Sequence, residues 1–174
     1  RRSGVLTSAD GAERSGELSA APLLGEHGET TGAVVLLHDV TELRGIARQM
    51  SYQASHDALT GLVNRREFER RLQDGVELTR TSSQTHVLCY LDLDRFKAVN
   101  DTCGHRGGDA VLREVARCLG EGRRAVDFLA RYGGEEFVTL LVGTALGDAL
   151  PVADVMRERV AALRFRFRGA PLRV

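Results

Sequence analysis

Arg131-Tyr132-Gly133-Gly134-Glu135-Glu136-Phe137, continuing into Val138-Thr139-Leu140-Leu141-Val142, is the stretch that sets the fold. An apolar run beside a Gly-Gly pair and two carboxylates predicts a strand, a tight turn and a second strand, because glycine accepts the positive φ that tight hairpin turns need. Such a turn holds Glu135 and Glu136 at the mouth of a sheet, beside main chain that carries no side chains. That arrangement suits metal-bound phosphate. A solvated acidic hairpin tip accounts for the same residues equally well, so the flanking sequence has to choose between them.

Upstream, Val87-Leu88-Cys89-Tyr90-Leu91-Asp92-Leu93-Asp94 is an apolar run ending in acid. It predicts a central strand covered on both faces. Asp92 and Asp94 then project to the same side, by the period of two. A carboxylate buried inside such a run is costly unless it is paired or meets a cation. Asp92 is therefore a candidate ligand, whereas Asp94, at the strand end, also fits a surface position. Arg95 to His105 reads as a loop or short helix with Lys97 placed to meet phosphate. Gly107-Gly108-Asp109 opens an amphipathic helix with Val111, Leu112, Val115, Ala116 and Leu119 inward and Asp109 as its N-cap. Arg124-Ala125-Val126-Asp127 leads into the hairpin and, on its own residues, reads as a surface ion pair. Downstream, Asp148 to Leu163 predicts a helix with Pro151 in its first turn and Val152, Met156, Val160 and Leu163 inward. Phe165 to Val174 alternates like a hairpin with a short second strand.

The N-terminal part differs in character. Val5-Leu6, Glu17 to Leu24 and Ala33 to Leu37 predict a three-stranded meander with turns at Asp10-Gly11 and Glu26-His27-Gly28. Three strands alone enclose no core. Residues 41–55 predict a helix capped by Thr41, with Leu43, Ile46 and Met50 at 3–4 spacing. That stripe suits either a short coiled-coil seam between dimerised modules or packing on its own domain. A new domain starts at Ser55-His56-Asp57-Ala58-Leu59-Thr60-Gly61-Leu62-Val63-Asn64-Arg65. A helix with Phe68, Leu72 and Val76 on one face follows, then a polar loop over residues 80–85.

Among the 174 residues, 24 Lys+Arg balance 24 Asp+Glu. Zero net charge argues against a general coat for DNA, RNA or anionic membrane. No apolar run approaches the roughly 18–20 residues that cross a bilayer, and no signal peptide is recognisable. Cys89, Cys103 and Cys118 lack metal spacing and read as reduced thiols of a cytoplasmic protein. The chain begins at Arg1 rather than Met, so a piece of a longer protein is expected, whose missing regions leave room for a membrane anchor. Asp92 and Glu135 together predict a divalent-cation site, since Mg²⁺ takes one or two protein carboxylates plus substrate phosphates. A cation there activates a hydroxyl and stabilises in-line phosphoryl displacement.

Three motifs carry a family resemblance: Asp57-x-Leu59-Thr60-Gly61-Leu62-x-Asn64-Arg65; Leu91-Asp92-Leu93-Asp94-x-Phe96-Lys97-x-x-Asn100-Asp101-x-x-Gly104-His105-x-x-Gly108-Asp109; and Arg131 to Phe137. In this order and spacing they closely resemble the GGDEF family of diguanylate cyclases over residues 55–174. The resemblance implies an α+β fold, a mostly antiparallel central sheet flanked by helices, like the palm of adenylyl cyclases and polymerases. It implies condensation of two GTP into cyclic di-GMP with release of two pyrophosphates, dependent on Mg²⁺ or alternatively Mn²⁺. By resemblance, Asp92, the Leu93 carbonyl and Glu135 bind the metal, and Glu136 is the second acid of the active loop. Asn100 and Asp109 bond guanine, the carboxylate accepting from its N1 and N2 donors. Lys97 and the backbone around Arg95 and Phe96 contact phosphate, and Gly133 and Gly134 give GTP close access to the main chain. Arg124-x-x-Asp127, five residues before Gly133, matches the family's inhibitory product site, where an Arg grips guanine or phosphate bidentately. His105, in a matching Gly-His pair, reads as structural.

The resemblance further implies an antiparallel homodimer with one GTP per subunit. It also implies a last strand and helix, bearing phosphate-binding Lys and Arg, beyond Val174. The competing reading is a catalytically silent module that senses GTP or cyclic di-GMP, in some architectures attached to a phosphodiesterase domain. Asp10-Gly11-Ala12-Glu13, Gly32 to Leu37 and His38-Asp39-Val40-Thr41-Glu42 resemble the closing strands of a PAS sensor domain. The expected organisation is thus a PAS-like end over 1–40, a helical linker over 41–54 and a GGDEF domain over 55–174.

Overall fold

The computed structural model describes residues 2–7, 11–82, 84–167 and 170–172. Asp10 of the expected first turn, Ser83 of the polar loop, and Arg168, Gly169, Arg173 and Val174 of the last hairpin lie outside the described residues. The chain divides into two compact units, Arg1–Tyr52 and Gln53–Val174.

In the first unit, β1 (Arg2–Thr7), β2 (Glu13–Leu24) and β3 (Thr30–Asp39) form an antiparallel meander in sequence order, and α1 (Thr41–Ser55) begins there and ends in the second unit. Val34, Val35, Leu36 and Leu37 all stay exposed, as expected of three strands that enclose no core. Thr41 begins α1 but not as the expected cap. Its hydroxyl accepts the Ser15 N–H at 2.8 Å, while the Asp39 carboxylate accepts the Thr41 N–H at 3.0 Å. Leu43, Ile46 and Met50 are exposed.

The second unit comprises β4 (Val63–Asn64), α2 (Arg65–Thr81), β5 (Val87–Asp92), α3 (Phe96–Gly120), β6 (Phe128–Arg131), β7 (Glu136–Leu141) and α4 (Leu146–Ala162). A separate small hairpin pairs β8 (Phe165–Phe167) with β9 (Ala170–Leu172). The main sheet has the order β4-β6-β7-β5; β4 and β6 are parallel, the rest antiparallel. This is the expected α+β architecture. Asn64 caps α2, its side chain accepting the Glu67 N–H at 3.0 Å. One sheet face, through Ala130, Val138 and Leu140, packs on Phe68 of α2. The other, through Leu129 and Phe137, packs on Val111, Leu112, Val115 and Leu119 of α3 and Met156 of α4. Burial of each large apolar side chain stabilises by about 1.5–3 kcal/mol.

Several expectations are corrected here. The stripe of α2 that meets the sheet is Phe68, Leu72 and Gly75, so Val76 faces out. Helix α4 starts at Leu146, which moves Pro151 into the second turn; its inward positions begin at Ala149, leaving Val152 exposed. Helix α3 starts at Phe96 and bends at Gly104 (φ 70°, ψ 169°), so Asp109 lies inside it and is no N-cap. The largest correction concerns β5. Among the described strands it is an edge, not the centre. Val87, Cys89 and Leu91 turn to the α3–α4 side, while Leu88, Tyr90 and Asp92 lie on the other face beyond the cover of α2 and are exposed. An apolar run says that both faces are greasy, not how many neighbours the strand has.

Candidate active site

The signature residues close a loop between β6 and β7. Arg131 pairs with Phe137 in the ladder. The Glu136 carbonyl accepts the N–H groups of Tyr132 at 2.8 Å and Gly133 at 3.3 Å. Neither Gly133 nor Gly134 has positive φ, contrary to the tight-turn argument, because four residues span the gap and the loop needs no left-handed step. Gly133 instead leaves room for the Glu136 carboxylate. A Cβ there would sit 2.0 Å from Oε2 of Glu136, whereas one on Gly134 would meet open space.

Arg131 fixes the shape of the loop. Its Nε and Nη2 donate to the Gly134 carbonyl at 3.2 and 2.8 Å, and its Nη1 donates to both Asp57 oxygens at 3.2 and 3.3 Å. Asp57 in turn accepts the N–H and hydroxyl of Thr60 at 2.9 and 2.7 Å. Burial pushes the Asp57 carboxyl up, but the Thr60 and Arg131 donors outweigh it and hold it below the ordinary Asp value. The first motif is thus a brace for the signature loop.

Asp92 ends β5 directly opposite Glu136. It is exposed rather than buried as expected, because β5 is an edge strand, and Asp94 falls in the turn beyond the strand. Glu135 sits in the loop, half-buried. The Tyr90 hydroxyl donates to Oε1 of Glu136, and that carboxylate as hydrogen-bond acceptor pushes the phenol up to about 12. The Tyr90 ring meets Tyr132 edge-on at 5.8 Å. No three carboxylate, imidazole or thiol groups converge on one point among the described residues. The donor set is nonetheless of the right kind for Mg²⁺: carboxylates on Asp92 and Glu135, and the Leu93 carbonyl next in the chain, all hard oxygens. Mg²⁺ ordinarily completes such a shell with substrate phosphates and water.

Beyond Asp92 the chain turns through Arg95, the one described non-glycine residue with positive φ (59°), into α3. The strained step delivers the first N–H groups of the helix, around Phe96 and Lys97, near the end of β5. A helix N-terminus favours anions. Phe96 is buried, and Lys97 is exposed. Asn100 lies against Gly108: a Cβ on Gly108 would fall 2.0 Å from Asn100 Oδ1. The structure thereby folds Asn100 onto the residue that precedes Asp109. His105 is exposed.

Arg124 and Asp127 grip each other. Nε and Nη2 of Arg124 donate to the two Asp127 oxygens at 2.8 and 2.7 Å, and Nη2 also reaches Thr144 Oγ1 at 2.7 Å. Asp127 accepts the Val142 N–H at 3.0 Å and is only 3% exposed. Burial raises its carboxyl pKa, yet Arg124 and Val142 hold it below the ordinary value. The pair is therefore no plain surface contact. It ties the strand entry to the end of β7, while the Arg124 side chain keeps 54% of its surface open. A cavity of about 450 Å³ adjoins it, lined by Arg123, Arg124, Arg159, Pro151, Val155 and Met156 among others. Sequence reasoning missed Arg131, Asp57 and Tyr90 as builders of the site. Only the presence of Asp57 and Arg131 inside motifs hinted at the first two.

Residues 54–174 match the family described as diguanylate cyclase, GGDEF domain, and the chain belongs to that family. It is 42% identical over 170 residues to the probable diguanylate cyclase DgcE of Escherichia coli K12, covering 98% of this chain and 15% of that one. It is 40% identical over 156 residues to the diguanylate cyclase DgcM of the same organism, covering 88% and 37%. The chain thus spans well under half the length of these relatives. Among solved structures, the coiled coil and GGDEF domain of Caulobacter crescentus DgcB in complex with c-di-GMP superposes with a TM-score of 0.71. It is 32% identical, with 77% of this chain and 70% of that one covered. No helix among the described residues is long and apolar enough to cross a membrane.

Proposed function

We propose that the protein is a diguanylate cyclase that joins two GTP into cyclic di-GMP and releases two pyrophosphates. The observation that carries this reading is the placement of Asp92 at the end of β5, in register with the signature loop, with Asn100 packed on Gly108, the residue before Asp109. Asp92, Glu135 and the Leu93 carbonyl would hold Mg²⁺, with Mn²⁺ the alternative. When bound, the cation supplies charge neutralisation at the phosphates and favours the ionised hydroxyl. Asp109 accepts from guanine N1–H and N2–H, and Asn100 supplies a further hydrogen bond to the base. Lys97 and the first N–H groups of α3 bind phosphate. Gly134 leaves the loop backbone bare toward the nucleotide.

Each 3′-oxygen forms a bond to the α-phosphorus of the other GTP. The α–β bridging bond breaks, pyrophosphate leaves with its electron pair, and the hydroxyl proton passes to solvent. Two subunits meeting antiparallel provide both attacks. Arg124 and Asp127 form the product-feedback site, and the first unit is the end of a PAS-like sensor. The test is the full-length protein with Mg·GTP, following cyclic di-GMP by chromatography and pyrophosphate release in parallel. Asp92→Ala and Glu135→Ala are each expected to abolish both signals; turnover retained in either overturns the assignment. GTP binding without pyrophosphate release would instead make the chain a nucleotide sensor.

A further inference from the structure

Tyr90 has no part in the chemistry outlined so far, yet its hydroxyl makes a side-chain hydrogen bond to an acid of the signature loop. Tyr90 and Asp92 alternate onto one face of β5, and their ladder partners on β7 are Val138 and Glu136. Glu136 is thus diagonal to Tyr90, within reach of a long side chain. Oε1 of Glu136 takes the phenol hydrogen, and Oε2 lies in the space a side chain on residue 133 would fill. The Tyr90 ring is itself set by the edge-on contact with Tyr132, whose hydroxyl donates to Glu69 at 3.0 Å. A half-exposed carboxylate at the start of a strand would otherwise sample several rotamers.

We propose that Tyr90 is a positioning residue: its hydroxyl, together with the bare backbone of Gly133, fixes the Glu136 carboxylate above the signature loop, opposite Asp92. The role rests on the cyclase reading, because Glu136 acts there as the second acid of the loop. It also gives Gly133 a duty inside the protein, distinct from access for the nucleotide. A phenylalanine at position 90 would keep the ring contact with Tyr132 and lose only the hydrogen bond.

The experiment uses the full-length protein and a double-mutant cycle of Tyr90→Phe, Glu136→Ala and the pair, since alanine leaves the phenol no acceptor at that position. With Mg·GTP, Tyr90→Phe is expected to lower kcat about 10-fold with KM for GTP within about two-fold of wild type, and to have no further effect in the Glu136→Ala background. A phenol that merely fills surface would leave kcat unchanged, and that result overturns the proposal. Additive effects of the two substitutions on kcat also overturn it. Urea unfolding of the same four proteins reads the contact without any turnover, and absence of coupling there refutes the hydrogen bond itself. A wild-type protein that does not consume GTP overturns the cyclase reading and the catalytic role with it, while the unfolding cycle still reports whether the contact exists.

Discussion

Replacing Asp127 with alanine tests whether the Arg124–Asp127 pair, proposed above as a product site, is part of the fold. The carboxylate makes three hydrogen bonds, two from Arg124 and one from the Val142 N–H. Truncation strands the partners unequally. Arg124 is half open to water and can be rehydrated, so its loss is small. The Val142 N–H, at the end of β7, loses its acceptor in a partly buried place. The space of a 3%-exposed side chain is also left empty. Against these stands the relief of a desolvated charge. Charge-assisted bonds contribute about 1.5–3 kcal/mol each before that relief, and the balance is a loss of about 2 kcal/mol. For a unit of this size that corresponds to a fall in Tm of about 8 °C, measured by calorimetry without nucleotide. The sign with pH follows from the depressed carboxyl. Its contribution is present above the unfolded Asp value and lost as pH falls through the folded one. The gap between wild type and Asp127→Ala should therefore close below about pH 4. A variant within about 0.5 kcal/mol of wild type at pH 7, or a gap unchanged at pH 3, refutes the reasoning. Loss of product inhibition in an Asp127 variant should accordingly be read only after its stability is known.

Three further outcomes are expected. Gly108→Ala forces Asn100 away from a Cβ that would lie 2.0 Å from its Oδ1; KM for GTP should rise about 10-fold, with a stability loss of about 1 kcal/mol, read by steady-state kinetics and urea unfolding. Gly75→Ala places a methyl at ordinary contact distance, 3.4 Å from His86 and 3.5 Å from Leu140; it should stabilise α2 by about 0.5–1 kcal/mol, seen as a higher Tm. Glu67, bonded by Arg70 and then Arg71, has its carboxyl lowered from 4.5 to about 2. Its support of α2 is complete above pH 4.5 and lost toward pH 2, so Glu67→Gln should lose less helical signal than wild type in far-ultraviolet circular dichroism over that window.

What the sequence revealed, it revealed through periodicity and local chemistry. The inward set Val111, Leu112, Val115, Ala116 and Leu119 follows from 3.6-residue spacing, and the β6–β7 pairing from two apolar runs around a glycine-bearing loop. What it concealed was tertiary. The Arg131–Asp57 contact joins residues 74 apart, and nothing local distinguishes that arginine from one pointing to solvent. Tyr90 reads as one more apolar residue in a strand until its diagonal neighbour is known. Asp109 resembles an N-cap because two glycines precede it, yet Arg95 starts the helix fourteen residues earlier by accepting a left-handed backbone. Gly75 escaped notice because its contribution to packing is the absence of a side chain.

The bend at Gly104 carries a geometric consequence. Asn100 and Asp109 are nine residues apart, which in a straight α-helix means two and a half turns, opposite faces and a rise of about 13 Å. Two such groups could never close on one base. The break, at a φ of 70° and ψ of 169° that only glycine adopts freely, resets the phase between the two halves of α3 and folds Asn100 back onto Gly108. On the proposed reading, guanine selectivity would be written in the phase of a helix as much as in the two side chains. A single methyl at position 104, touching neither of them, would put both out of step together.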